Sequence, residues 1–549
     1  MQARVVVSAF QADGGAGMFE PTWWQRGAVY QIYPRSFADS DGDGVGDVCG
    51  ITAHLDYVAE LGVEAVWLSP LFRSPMADFG YDIADFCDVD PLFGTLSDVD
   101  RLVASAHARG IRVVLDFVPN HTSDRHPWFE AARSSREAPK RDWYVWRDGA
   151  ADGGPPNDWR AQFAAVGPAW TFDERTGQWY LHSFTPHQPD LNWDNPAVEA
   201  AMHAVLRFWL DRGVDGFRLD AIPLIAKDPE LRDAGDAPTG PSTPEEVVRP
   251  RRRDQDWDTI AGRLRGIRRV IDAYEDRMLV GEVYLYDLKR ILSYVGGDQL
   301  HLAHNFVFAQ LPWDAARFRA TIDDFEAAAG RAWPAWFLAN HDTPRVASRF
   351  DEDGQGSTRA RAVAVMLYLL RGTPFIYQGE ELGLPDAEIP PDRVVDVDGR
   401  DPERAPIPWR PPSLAGPGAA FTTGDPWLPL VADAARLNVE SQATDPRSTL
   451  LLVRRLAALR AATPALQTGG QRTLDAGADV LAWVRDGDGE RLLVAVNFSP
   501  APRALRVSGA VGADATVVLS SDPDRAEGAV EAGALVLRPS EALVLRPRD

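Results

Sequence analysis

Three acidic residues stand where three apolar runs end: Asp220 in GVDGFRLDA, Glu282 in MLVGEVY and Asp342 in FLANHD, at intervals of about 60 residues. Cleavage of a glycosidic bond needs a carboxylate near the anomeric carbon and a protonated carboxyl at the departing oxygen. Asp220 follows Arg218 by two positions, so on a strand both side chains leave the same face. A guanidinium there keeps the carboxylate ionised, as a nucleophile requires. Glu282 follows the apolar MLVG, where desolvation would favour the protonated form that a general acid needs. Each acid taken alone also reads as a helix N-cap or an ion-paired structural residue, and a buried structural glutamate is the competing account of Glu282. Three in phase, two of them flanked by Arg218 and His341, point to a catalytic set.

Carboxylates at strand C-terminal ends converge on one face when the strands close into a (β/α)8 barrel. Buried-strand patterns occur at 27–37, 64–70, 111–121, 216–221, 278–283, 301–306, 334–342 and 373–381. Helical patterns lie between them, among them 51–62, 97–110, 196–213 and 359–372. In the second of these Ser97 and Asp98 are expected to cap the start and Gly110 to close the end. Strands alternating with helices predict an α/β fold, a TIM barrel with parallel pairing, over residues 18–121 and 196–469. Three segments break the rhythm. Residues 122–195, rich in Trp, Pro, Gly and Asp, predict an inserted subdomain over the catalytic face. Residues 222–262 carry RPRRR, read as a solvated turn rather than a polyanion patch, and residues 382–446 form a Pro-rich loop subdomain. From 470 to 549 the pattern alternates, with a hairpin signal around Asp486-Gly487-Asp488-Gly489, which predicts a C-terminal antiparallel β-sandwich domain.

The chain has 549 residues, a net charge of −23 and a pI of about 4.9, a balance that disfavours nucleic acid and anionic lipid as partners. Cys49 and Cys87 are the only cysteines, so no disulfide framework is expected and free thiols in a cytoplasmic protein are. Residues 1–17 are too short and irregular for a signal peptide and read as a disordered extension before Met18. No apolar run approaches the ~20 residues of a membrane span. The expected partners are small molecules, with no nucleic acid and no membrane, for a monomer or small homo-oligomer.

Five short motifs occur in order: DFVPNH at 116–121, QPDLN at 188–192, GFRLDA at 216–221, GEVY at 281–284 and NHD at 340–342. Together they resemble the α-amylase family, glycoside hydrolase family 13, in its α-glucosidase and oligo-1,6-glucosidase branch, from about Trp23 to Thr423. The resemblance implies that Asp220 is the nucleophile and Glu282 the acid. Asp342 with His341 would grip the sugar hydroxyls and distort the ring, and His121 would be a further hydroxyl ligand. Asp78-Phe79-Gly80-Tyr81 resembles the family's Asp-X-Gly-Tyr loop, whose Asp contacts the outer hydroxyls of the terminal glucose and whose Tyr stacks on it. Arg400, in GRDPERAPIPW, resembles the arginine that pairs with that Asp to close a blind pocket, although RAPIPW stands where the family reads RTPMQW. Phe163 matches an aromatic wall of this pocket. A blind pocket implies exo-action on short oligosaccharides.

The run Asp39-Ser40-Asp41-Gly42-Asp43-Gly44-Val45-Gly46-Asp47 places carboxylates at close intervals with glycines for sharp turns. Hard oxygen ligands in such a loop suit Ca2+, and the matching family loop implies structural calcium, with Mg2+ as the alternative. Asp39, Asp41, Asp43 and Asp47 would bind through side chains and Val45 through its carbonyl; an acidic surface turn is the other reading. Ala221, where the branch carries valine for α-1,6 cleavage, implies α-1,4-linked substrates such as maltose. The expectation is a retaining α-glucosidase with transglucosylation as a side activity. Oligo-1,6-glucosidase and sucrose-active hydrolase or isomerase are the alternatives. A catalytically inactive binding subunit is the remote one, set aside because all three acids are present.

Overall fold

Short apolar runs form the inner wall: β1 (Val29–Ile32), β2 (Ala65–Leu68), β3 (Arg112–Phe117), β4 (Gly216–Leu219), β5 (Met278–Gly281), β6 (Leu302–Ala303), β7 (Ala335–Trp336) and β8 (Thr373–Tyr377). The computed structural model describes residues 21–548 apart from 245, 247–249, 331, 508–513 and 532–533; the expected 1–17 extension lies outside the described residues. Every expected strand run holds a strand shorter than itself, because each run continues into the loop beyond the barrel. The strands pair in parallel in the order β6-β5-β4-β3-β2-β1-β8-β7, and a bridge from His304 to Ala335 joins β6 to β7 and completes the (β/α)8 barrel.

Register and side-chain parity together decide what fills it. Ala65 is the partner of both Val29 and Arg112, and Gly216 is the partner of both Val114 and Met278. Val29, Ala65, Trp67, Val114, Met278 and Val280 pack together inside the barrel. Their neighbours Tyr30, Val66, Leu68, Val113, Leu115 and Leu279 face outward into the core shared with the helices. Gly216 is required at a close approach, since a Cβ there would lie 2.3 Å from the carbonyl oxygen of Met278. Following the inward parity toward the strand C-termini reaches Gln31, Ser69, Asp116 and Arg218, all buried, and then Asp220 and Glu282. The top layer of the barrel is therefore polar by the same alternation that makes the lower layers apolar.

The helix Leu96–His107 is capped by Thr95 rather than Ser97. Thr95 Oγ1 accepts from the N–H of Asp98, and the Asp98 carboxylate accepts from the N–H of Thr95 at 2.8 Å, a capping box. Gly110 follows the helix at φ 74°. The β2–β3 connection contains a hairpin, Phe72–Arg73 with Asp85–Val89, that the sequence pattern does not announce. Residues 122–195 carry the helix Pro127–Ala132 and a three-stranded antiparallel sheet of Trp146–Arg147, Gln178–Leu181 and Trp170–Asp173.

RPRRR is not a solvated turn throughout: Arg252 is buried and pairs with Asp254 at 2.6 Å and Glu246 at 3.0 Å. The chain folds back there, so that carboxylates and carbonyls from both legs of the loop surround the guanidinium. Residues 382–446 hold the short helices Pro412–Ala415 and Val439–Thr444.

The C-terminal strands are β9 (Gly470–Asp475), β10 (Val480–Gly487), β11 (Glu490–Asn497), β12 (Asp514–Ser520), β13 (Gly528–Glu531) and β14 (Ala542–Pro547). They form an antiparallel sheet in the order β9-β10-β11-β14-β12-β13. A two-stranded ribbon of Arg503–Ala504 and Val536–Leu537 supplies Leu505 and Leu537 to its core. Asp488 at φ 52° and Gly489 at φ 77° make the two-residue hairpin turn between β10 and β11. Trp313 stacks on Phe498 with centroids 4.1 Å apart, docking this domain on the barrel. Cys49 and Cys87 are free thiols. Among the described residues no helix is long and apolar enough to cross a membrane.

Candidate active site

A cavity of about 330 Å3 opens at the C-terminal ends of the barrel strands. Asp78, Tyr81, His121, Phe163, Asp220, Glu282, Asp342 and Arg400 line it. Arg218 and His341 lie behind them, buried. The ten candidate sugar-site residues are thus brought together, from barrel strand ends and long loops.

The floor is organised by Arg218. Its partner across the ladder is Asp116, and its Nη1 donates to Asp116 Oδ1 at 2.9 Å and Asp220 Oδ1 at 2.6 Å. Its Nη2 lies 2.8 Å from Glu282 Oε2. Backbone bonds fix both acids: Asp220 donates its N–H to Phe117 O and Glu282 to Leu219 O, each at 2.9 Å. Glu282 Oε2 also accepts from the N–H of Ala221 at 2.8 Å. That N–H points at Glu282 because Ala221 takes the left-handed conformation, φ 42° and ψ 38°.

This corrects the division of labour expected from sequence. Arg218 touches both acids rather than Asp220 alone, and Glu282 is not in apolar surroundings. Burial pushes the Asp220 carboxyl well above the usual carboxylate range; Arg218 opposes that, while Glu282 and Asp116 add to it. Burial, against the pull of Arg218, likewise pushes Asp116 up to about 6. Asp116 and Asp220 share that guanidinium in a buried site, so these two carboxyls do not ionise independently of one another.

The far end of the cavity is closed by ion pairs. Arg400 Nη2 donates to Asp78 Oδ1 at 2.8 Å and Nη1 to Asp342 Oδ1 at 3.0 Å, while Asp396 holds the other edge of the guanidinium. The Arg400 guanidinium lies 4.8 Å from the centroid of the Phe163 ring. Arg404 Nη2 reaches Asp342 Oδ1 at 2.6 Å, and its Nε donates to His341 O. Burial would raise the Asp342 carboxyl, but His341, Arg400 and Arg404 outweigh it and hold it well below the carboxylate range. Burial pushes His341 down to about 3, so its ring is neutral. Gln31 Nε2 donates to His341 Nδ1 at 2.8 Å, which leaves the proton on Nε2, facing Tyr81 Oη at 2.7 Å and Asp342 Oδ2 at 3.0 Å. Tyr81 stacks flat on His341 with centroids 5.4 Å apart. His121, pushed down to about 4 by burial, sits with Nε2 3.2 Å from Gln188 Nε2, which also donates to Asp78 Oδ2 at 2.9 Å.

Asp116, Gln188, Asp396, Arg404 and Gln255 belong to this site and were not singled out from sequence. The first two lie inside motifs already recognised. Asp116 shares the inward parity of Val114, a signal available once strand pairing is assumed. Arg404, Asp396 and Gln255 sit in long loops whose return to the pocket no local pattern reveals.

The acidic loop draws together three of its carboxylates: oxygens of Asp39, Asp41 and Asp43 lie within 4.8 Å of one another. Gly42 and Gly44 at φ 87° and 95° make the turn. Backbone N–H groups already meet part of the charge, since Asp39 accepts from Gly42 at 2.7 Å and Gly44 at 2.8 Å. Asp47 turns away from them and caps the helix Val48–Ala53 through Gly50 N at 2.7 Å, while also accepting from Ser40 N. Val45 donates its N–H to Asp43 Oδ1. Of the four carboxylates expected to bind a cation, the three that come together are thus Asp39, Asp41 and Asp43.

Residues 31–469 match the family described as alpha amylase, catalytic domain, and residues 472–546 match its C-terminal all-beta domain. The chain is 42% identical over 513 residues to a probable alpha-glucosidase of Rhizobium meliloti (strain 1021), covering 88% of this chain and 91% of the relative. It is 36% identical over 572 residues to an oligo-1,6-glucosidase of Parageobacillus thermoglucosidasius, covering 96% and 100%. The crystal structure of an alpha-glucosyl transfer enzyme, XgtA, superimposes with a TM-score of 0.89 at 39% identity, over 96% of this chain and 100% of that one.

Proposed function

Because this chain belongs to the α-amylase family, glycoside hydrolase family 13, and is a glycoside hydrolase of the α-glucosidase type, we propose that it releases single glucose units from the non-reducing end of short α-1,4-linked oligosaccharides with retention of configuration. Asp220 attacks the anomeric carbon while Glu282 gives its proton to the departing oxygen. A glucosyl–Asp220 ester results, and Glu282 then takes a proton from the water that hydrolyses it. Arg218 makes the exchange of charge smooth. When Asp220 loses its charge in the ester, Glu282 becomes the anion, and both carboxyls already touch the same guanidinium. Asp342, held ionised, presents an acceptor to the sugar hydroxyls, and neutral His341 behind it steadies that carboxylate through Nε2. Asp78 and Arg400 limit the donor side to one ring.

The observation that carries this reading is the one guanidinium shared by Asp220 and Glu282 beside a pocket end closed by Asp78, Arg400 and Asp342. Ala221 supports α-1,4 preference, because a small side chain beside the nucleophile leaves room for the leaving sugar. Asp39, Asp41 and Asp43 would hold structural Ca2+, remote from the acids. Product analysis with maltose, isomaltose, sucrose and soluble starch tests the proposal: glucose should appear fastest from maltose and slowly from starch. Oligosaccharide fragments from starch, or preferred cleavage of isomaltose or sucrose, would contradict it.

A further inference from the structure

The 222–262 loop is built to hold one polar group against the pocket. It leaves β4 directly after Asp220, and its Pro223, Leu224 and Pro241 give the cavity an apolar wall. Asp256 N donates to Pro223 O at 2.8 Å, which brings the returning leg of the loop beside the residues that follow the nucleophile. Asp256 stands at φ 56°, its carboxylate held by Tyr294 Oη at 2.6 Å and Arg290 Nε at 2.9 Å. The two legs are tied by buried Arg252, which donates to Gly240 O, to Asp254 Oδ1 at 2.9 Å and to Glu246 Oε1 at 3.0 Å. Between these anchors Gln255 is 3% exposed and lines the cavity. Its Nε2 donates to Ser242 Oγ at 3.1 Å, and among the described residues its Oε1 has no partner. With its amide nitrogen held by Ser242, Gln255 offers that oxygen at the cavity wall as an acceptor for a ligand donor.

We propose that Gln255 is a specificity-determining residue for the leaving side: its Oε1 accepts a hydrogen bond from a hydroxyl of the departing or accepting sugar. The inference rests on the reading of Asp220 and Glu282 above. Asp78 and Arg400 close the donor end, and Gln255 belongs to the wall that begins two residues after Ala221, where the leaving sugar must lie. Ser242 and the Arg252 tie fix the amide, so the oxygen is presented without rotamer loss.

The test compares maltose with α-glucosyl fluoride, whose leaving group carries no hydroxyls. For Gln255→Leu, kcat/KM should fall more on maltose than on the fluoride, by a factor of roughly five to ten, the scale of one hydrogen bond. Gln255→Glu, which keeps acceptor oxygens at the same place, should recover part of the difference. Fluoride turnover reports that each variant has folded. Equal losses on the two substrates, or no loss on maltose, would overturn the assignment. A wild-type enzyme inactive on both would instead overturn the catalytic reading and this inference with it.

Discussion

Arg218 gives Asp220 and Glu282 a common counter-ion, and the roles of the two acids are separable by experiment. Glu282→Gln should lower kcat on maltose by about a hundred- to ten-thousandfold, the range of general acid catalysis, because the departing sugar oxygen needs its proton. An aryl α-glucoside with a good leaving group should be spared much of that loss; equal loss on both would assign Glu282 another role. Ala221→Val combines two effects, since the left-handed backbone at φ 42° already costs an L-residue about 1–2 kcal/mol and a β-branched side chain more. The variant should therefore melt earlier. The ratio of kcat/KM for maltose to that for isomaltose cancels the backbone strain, and it should shift toward isomaltose by roughly ten- to two-hundredfold. An unchanged ratio would remove Ala221 from the account of linkage. At this scale the acids, His121, His341 and Arg400 were legible in sequence because motifs name them. The Arg218–Glu282 contact was not, because it depends on adjacent pairing of β4 and β5.

Two elements outside the acids carry their own predictions. The acidic loop docks on the segment after β8, through Asp39 N to Phe421 O at 2.8 Å and Trp427 N to Gly44 O at 3.0 Å. Removing a bound cation should lower the melting temperature, as loss of any ligand selective for the folded state does, without deleting a group of the pocket. No shift on chelation, with no metal in elemental analysis, would leave an acidic turn. The helix Pro127–Ala132 starts at His126, whose Nδ1 accepts from Trp128 N at 3.0 Å. Burial pushes this histidine down to about 3. The fold thus favours the neutral ring, a contribution complete above the unfolded value near 6.5 and lost as pH falls toward 3, at about 1.4 kcal/mol per pH unit. His126→Asn keeps a cap acceptor and removes the titration. Its stability loss in denaturant titrations between pH 7 and pH 5 should be smaller than wild type's by about 2 kcal/mol; an equal loss would place His126 outside the acid response. Strand runs were legible because two-residue alternation is local. The Phe72–Val89 hairpin and buried Arg252 were not, since short pairs and ion pairs are decided by chain that returns from elsewhere.

Across the whole molecule, the barrel supplies the catalytic floor and three separate connections supply the closed end. Asp78 comes from the β2–β3 connection, Phe163 from the segment after β3, and Arg400 and Arg404 from the segment after β8. The alternation of strands with helices was enough to predict the barrel, and the alternation of residues within strands the C-terminal sheet. The assembly of those loops into one pocket wall was legible only through resemblance, because their contacts span more than 300 residues, as between Asp78 and Arg400. The central claim is that Asp220 forms a covalent glucosyl intermediate while Glu282 serves first as acid and then as base. A proton-NMR time course of maltose hydrolysis, recorded before the released sugar mutarotates, tests it most directly. Two displacements predict α-glucose as the first product from the cleaved end, whereas β-glucose appearing first would mean a single inverting displacement and contradict the account.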